Sequence, residues 1–288
     1  MSSISLIERY TGCLLGLAIG DALGAPVEFK ERGSFPPVFE MQAGGPFNLQ
    51  KGQWTDDTSL ALCLGTSLVE KKGFDPHDQI EKYIKWFREG YMSCTGHCFD
   101  IGNTTKAALL RYEEHKDIYA GSRDDPATNG SLMRLAPIPL FYFHNIEETK
   151  LYAGLSSKVT HAPKNCIQTC VDLAVYIHRA LQGQSKEEIF IDTNIDFRKS
   201  YEEVSGKGDA LLCLEGAMWC FYHSKTFEEG VKLAVNLGDD TDTTAAVFGQ
   251  LAGAYYGKSG LPQYMLQDLY DKDMIEELAL KLFNSSAL

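Results

Sequence analysis

Thr11–Ala25 reads TGCLLGLAIGDALGA and places Gly12, Gly16, Gly20 and Gly24 four residues apart. At 3.6 residues per turn, that spacing lays the four glycines along one stripe of a helix. A stripe without side chains admits a second backbone at close range. Each glycine costs a helix roughly 1 kcal/mol relative to alanine, so close packing has to offset the loss. The run therefore predicts a buried helix with a partner seated against its glycine face. Its apolar stretch, Cys13 to Ile19, is too short to span a bilayer. With Glu8 and Arg9 before it and Asp21 after, it reads as neither a membrane segment nor a signal sequence.

Further helical patterns surround this run. Leu60, Cys63, Leu64, Ser67 and Leu68 mark one face of a helix that begins at TDDT, with Thr55 placed as its N-cap. Similar periodicity runs over about Pro76–Glu89, Thr104–His115, Glu147–Val159, Asn165–Leu181, Leu211–His223, Phe227–Val235, Thr243–Tyr256 and Asp273–Phe283. Asn145 with Glu148 offers a capping box. Period-2 alternation is scarce, and no linker, charge run or repeat divides the chain. One all-α domain over residues 1–288 is expected, with long Gly-, Pro- and Asn-rich loops at 26–54, 91–103, 120–139 and 191–208. Loops that long in a compact helical protein usually carry function.

Composition narrows the class. Hydrophobic residues are 44% and charged residues 23% of the 288, which excludes a disordered or low-complexity chain. A net charge of −12 argues against general nucleic-acid binding. The eight cysteines sit mostly within apolar helical patterns, where reduced thiols act as small hydrophobes, so a cytoplasmic protein is expected. Cys94, His97 and Cys98 lack a second pair at zinc-ligand spacing. Gly257-Lys258-Ser259 lacks both the Walker spacing and the strand it needs.

Two acidic clusters stand at helix starts: Thr55, Asp56, Asp57 and Thr58, and then Asp239, Asp240, Thr241, Asp242, Thr243 and Thr244. Acids and hydroxyls in a first turn can serve as caps and favour the helix dipole. Capping employs one or two residues per helix, whereas adjacent carboxylates repel one another unless a cation lies between them. Two divalent ions would balance Asp56, Asp57, Asp240 and Asp242, with the Thr55 and Thr243 hydroxyls as further oxygen ligands. Oxygen donors without His or Cys favour Mg²⁺, Mn²⁺ or Ca²⁺ over Zn²⁺. Capping and metal binding both remain open at this level.

Four segments, GCLLGLAIGDALGAPVEF, GQWTDDTSLAL, NGSLMRLAPIPL and NLGDDTDTTAAVFGQLAGAYYG, together with VTHAPKN, resemble the ADP-ribosylglycohydrolase family in that family's order. The stretch DIGNTTKAAL resembles the branch typified by the dinitrogen-reductase-activating glycohydrolase, which removes ADP-ribose from arginine. The resemblance implies an all-helical fold with a binuclear Mg²⁺ or Mn²⁺ cleft, its ligands being Thr55, Asp56, Asp57, Asp240, Asp242 and Thr243. Glu28, in PVEF, matches the family's active-site glutamate, and Asp100 the acid that meets the guanidinium leaving group. Asn103 stands beside Asp100. Asn129, Gly130, Ser131 and Met133 resemble the loop whose backbone amides hold the diphosphate, and His161 the histidine on the adenosine and phosphate side. The segment GKGDALLCLEG lacks the aromatic that several members place near Ala210.

The implied activity is metal-dependent hydrolysis of the N-glycosidic bond of ADP-ribosylarginine, on protein or in a small ADP-ribosyl substrate, with no membrane partner. Serine-linked or nucleobase-linked ADP-ribose is the alternative acceptor. A two-metal phosphoesterase needs cationic side chains that the acidic clusters lack, and a non-catalytic ADP-ribose binder is the remaining alternative.

Overall fold

A computed structural model describes residues 4–286. Its helices in chain order are α1 (Leu6–Gly24), α2 (Asp56–Lys71), α3 (Pro76–Glu89), α4 (Asn103–His115), α5 (Pro137–Phe141), α6 (Ile146–Lys158) and α7 (Lys164–Leu181). There follow α8 (Lys186–Ile189), α9 (Ala210–His223), α10 (Phe227–Val235), α11 (Thr241–Tyr256), α12 (Gln263–Asp268) and α13 (Lys272–Ser286). Among the described residues there is no β-strand; two isolated bridges join Gly44 to Leu49 and Thr128 to Asp209.

The glycine stripe has its partner in α11. A Cβ on Gly16 would stand 2.3 Å from the Gly249 carbonyl oxygen, and one on Gly249 only 1.9 Å from that of Gly16. Gly12 meets Gly253 in the same way, and Gly20 meets Ala245. The pairing order makes the two helices antiparallel, so the C-terminal end of α1 lies against the N-terminal end of α11, where Gly24 abuts Asp242. Both helices are buried on nearly all sides. Leu6–Val27 is long and apolar enough to cross a membrane, yet its most apolar window is entirely buried within the protein.

Other helices wrap this pair. α7, α9 and α10 pack on α11, while α13 packs on α1 and α2. Leu15, Leu17, Ile19, Leu23, Phe227 and Phe248 are almost fully buried in the main core, each contributing about 1.5–3 kcal/mol of transfer free energy. A second cluster joins α2, α3 and α4 through Leu60, Ile80, Tyr83, Trp86 and Tyr112.

Several helices are capped conventionally. Asp75 accepts from the His77 and Asp78 amides, and Asp209 from those of Leu211 and Leu212. Asn145 caps α6 by accepting from the Glu147 and Glu148 amides. The short helices α5, α8 and α12 lie outside the helical patterns read from the sequence; four to six residues are too few to display a period. The cysteines are all unpaired, and the Cys94 thiol donates to the Trp54 carbonyl. Gly257 ends α11 and caps a short 3-10 helix at Lys258–Gly260.

Candidate active site

Three chain points converge where the α1–α11 seam ends. The link from α1 to α2 is Asp21, fully buried on the last turn of α1. Its Oδ1 accepts from the Thr55 amide (2.8 Å) and hydroxyl (2.9 Å), and its Oδ2 from the Thr58 amide (3.0 Å) and hydroxyl (2.6 Å). Asp21 thus satisfies free donors at the start of α2 from another helix, a task that Thr55 was expected to perform as N-cap. Thr55 holds the N-cap position without bonding its own first turn, and its hydroxyl turns to Asp21 and, at 3.3 Å, to Asp242 Oδ2. At α11, Asp240 likewise makes no capping bond. Unlike Asp75, Asn145 and Asp209, the acids at these two helix starts are not used as caps.

Their carboxylates face one another instead. Asp21, Asp57 and Asp242 bring ligand oxygens within 4.8 Å of each other, and so do Glu28, Asp240 and Asp242, so Asp242 belongs to both groups. Thr243 Oγ1 donates to Asp57 Oδ1 at 3.0 Å. Asp56 and Asp100 line the same cleft, which measures about 410 Å³. Burial first, and then repulsion between neighbouring acids, raises Asp56, Asp57 and Asp242 well above the usual carboxylate range. The same causes raise Glu28 strongly and push Asp100 up to about 9. Asp21, eased by its four hydrogen bonds, rises to about 6.

The residues fit a cation site. Glu28 Oε2, Asp57 Oδ2 and Asp242 Oδ1 are buried oxygens without any hydrogen-bond partner. Orphaned carboxylate oxygens are costly to bury, and a hard cation among them removes that cost. Among the described residues, no Lys or Arg lines the cleft. These buried acids could therefore hold metal ions, with Asp57, Asp240, Asp242 and Glu28 best placed and Asp21 acting as a brace.

The opposite wall is the loop from Pro126 to Met133. It is tied to α9 by the Asn129 amide on the Gly208 carbonyl (3.0 Å) and the Ala210 amide on the Ala127 carbonyl (2.9 Å). It is tied to the acids by Asn129 Nδ2 on Asp240 Oδ2 (2.9 Å). The Leu132 and Met133 amides turn back onto the Asn129 carbonyl, whereas the Gly130 and Ser131 amides have no partner among the described residues. Met133 and Asn103 line the cleft; the Ser131 side chain does not, because its hydroxyl is buried against Ser157 (2.8 Å). His161 is buried between Thr160 and Thr128, and a Cβ on Gly130 would stand 2.9 Å from its ring. Burial, with Arg134 and Arg111 nearby, holds the histidine well below its usual range, and its ring, packed against the loop, lines the cleft beside Gly130 and Met133.

Two parts of this site escape a reading of the sequence. Asp21 is one, although it is an acid inside an otherwise apolar glycine-striped run. Arg134 is the other: fully buried, it donates to the Gly130 carbonyl (3.1 Å) and the Thr160 hydroxyl (2.7 Å) and lies over the Tyr83 ring. An arginine within the apolar run SLMRLAPIPL is the signal that pointed there.

Comparison with known proteins bears on this arrangement. The family described as ADP-ribosylglycohydrolase matches residues 2–288. The chain is 38% identical to the ADP-ribosylarginine hydrolase Tri1 of Pseudomonas putida (strain GB-1), over 96% of this chain and 78% of that protein. It is 30% identical to the ADP-ribosyl-[dinitrogen reductase] glycohydrolase of Rhodospirillum rubrum, over 93% of this chain and 92% of that one. A solved structure titled ADP-ribosylglycohydrolase-related protein complex superimposes with a TM-score of 0.87 at 41% identity, covering 98% of this chain and 99% of its own. With its helical architecture, its acid cleft and these relatives in agreement, the chain belongs to the ADP-ribosylglycohydrolase family and is an ADP-ribosyl glycohydrolase.

Proposed function

We infer that the protein hydrolyses the N-glycosidic bond between ADP-ribose and an arginine guanidinium, using two divalent cations, Mg²⁺ or Mn²⁺. The carrying observation is a cleft lined by five carboxylates, Glu28, Asp56, Asp100, Asp240 and Asp242, and by no Lys or Arg among the described residues. That lining suits a cationic leaving group and leaves a phosphoesterase without side chains for its phosphate. The activity named for the Pseudomonas putida relative supports the same acceptor.

Residue roles follow from position. Asp57, Asp240, Asp242, Asp56 and Glu28, with the Thr55 and Thr243 hydroxyls, would hold the ions. Bound there, divalent cations supply charge neutralisation and Lewis-acid polarisation of hydroxyl and water oxygens. Asp100, at φ 55° beside Glu28, points its carboxyl into the cleft, where it pairs with the guanidinium and keeps the departing group protonated. The free amides of Gly130 and Ser131 receive the diphosphate, as backbone donors do in anion-binding loops. Ser131 therefore acts through its backbone, Arg134 holds the loop in place, and His161 on the cleft wall meets the phosphate and adenosine side of the substrate. Asn103, Asn129 and Met133 complete the wall against the substrate.

The test is release of free ADP-ribose, followed by mass, from arginine-linked and serine-linked ADP-ribosyl peptides, with EDTA and then with Mg²⁺ or Mn²⁺ restored. Metal-dependent release from the arginine peptide alone is expected. Release only from the serine peptide overturns the acceptor, and full release in EDTA overturns the metal requirement.

A further inference from the structure

The mouth of the cleft carries a ring that the acid centre leaves unexplained. Phe29 follows Glu28 directly, lines the cleft, and is 66% exposed. Its φ of 64° lies in the left-handed region, which a bulky side chain rarely occupies. A reciprocal pair of backbone bonds holds it there: the Phe29 amide donates to the Asp239 carbonyl (2.8 Å), and the Asp239 amide to the Lys30 carbonyl (2.7 Å). Asp239 is itself left-handed at 63°, one residue before Asp240. The segment that presents the second acid cluster therefore also fixes Phe29 in a strained, solvent-facing position where it adds little to the core.

The ring does not stand alone. Phe29 meets Phe47 edge to face at 6.3 Å between centroids, and Phe47 leans on Phe99 at 5.4 Å. In sequence this aromatic row thus begins next to Glu28 and ends next to Asp100, two of the acids that line the cleft. An aromatic face next to carboxylates attracts a planar, delocalised cation through both ring quadrupole and charge, and offers a neutral hydroxyl-linked acceptor neither.

We propose that Phe29, braced by Phe47, is the acceptor-side platform on which the substrate's guanidinium rests as it meets Asp100, and that it sets the preference for arginine-linked over neutral acceptors. This rests on the arginine reading above. The platform gives its attraction equally before and during bond cleavage, because the guanidinium is already cationic in the bound substrate; its loss therefore falls on KM.

The full chain, supplied with Mg²⁺ or Mn²⁺, is compared with Phe29→Leu and Phe29→Trp on an arginine-linked ADP-ribosyl peptide, with the affinity for free ADP-ribose measured alongside. Phe29→Leu keeps an apolar side chain and removes the ring. It is expected to raise KM roughly tenfold with kcat little changed, to leave ADP-ribose affinity unaltered, and to be rescued by Phe29→Trp. A KM for Phe29→Leu equal to that of the wild type overturns the platform, as does an equal loss of ADP-ribose affinity or a Phe29→Trp variant as impaired as Phe29→Leu. A wild-type protein that releases nothing from the arginine peptide overturns the acceptor reading, and the platform with it.

Discussion

The two ends of the α1–α11 pair follow opposite rules. Along the seam, Gly12, Gly16 and Gly20 let backbone pack on backbone, and most of the buried neighbours are apolar. At the far end, the same helices deliver Asp21 and Asp242 beside Asp57 and leave buried oxygens without partners. The seam carries stability, and the acid end gives some of it up for function. The first region is closed by backbone contact, whereas the second gathers buried acids that could hold a cation. Since the register of the seam places the acids, the two regions are one design whose parts can be broken separately.

The largest effect is expected from closing the seam. Gly249→Val puts side-chain atoms where the Gly16 carbonyl oxygen lies 1.9 Å from the first added carbon, and a loss of about 5 kcal/mol or more is expected. Circular dichroism and thermal melting should show little or no folded protein at 37 °C. At the other end, Asp242→Asn should fold well and abolish turnover, with kcat/KM down about 10²–10³-fold or more. Because it also removes a buried, repelled charge, its melting temperature in EDTA should equal or exceed that of the wild type. A melting point lowered as far as in Gly249→Val would erase the distinction between the regions.

Much of this contrast is legible in the sequence, and its limits have physical causes. The glycine spacing predicts the close partner helix, because a stripe at period four has few other uses. That the acid clusters are more than caps is legible because carboxylates at both TDDT and DDTDTT exceed what capping employs. Asp21 is not legible as a brace, since its partners Thr55 and Thr58 lie 34 and 37 residues away and only the fold brings them together. The Ser131 side chain fails as a cleft residue because a polar residue in an apolar run has two directions to face, and Ser157 takes it inward. α5, α8 and α12 show no period at their length, so tertiary packing alone reveals them.

Two smaller effects sharpen the comparison. Saturating Mn²⁺ or Mg²⁺ should raise the melting temperature of the wild type: at a hundred times Kd the gain is about 2.7 kcal/mol, roughly 5–10 °C for a chain of this size. The same addition should leave Asp242→Asn almost unmoved. His161 supplies the last. Buried, with Arg134 and Arg111 nearby, it stays neutral in the folded protein, while an unfolded histidine takes up a proton as pH falls below about 6.5. The unfolded state then binds one more proton, so stability declines with falling pH by about 1.4 kcal/mol per unit until the folded-state value is reached. Denaturant melts between pH 7 and 5 should show a shallower decline in His161→Gln than in the wild type.

The most direct measurement is anomalous diffraction from crystals equilibrated with Mn²⁺. Two peaks are predicted in the acid cleft, one against Asp57 and Asp242 and one against Glu28, Asp240 and Asp242. A well-folded crystal in saturating Mn²⁺ with no anomalous density among these carboxylates would contradict the claim that the helix pair ends in a metal centre.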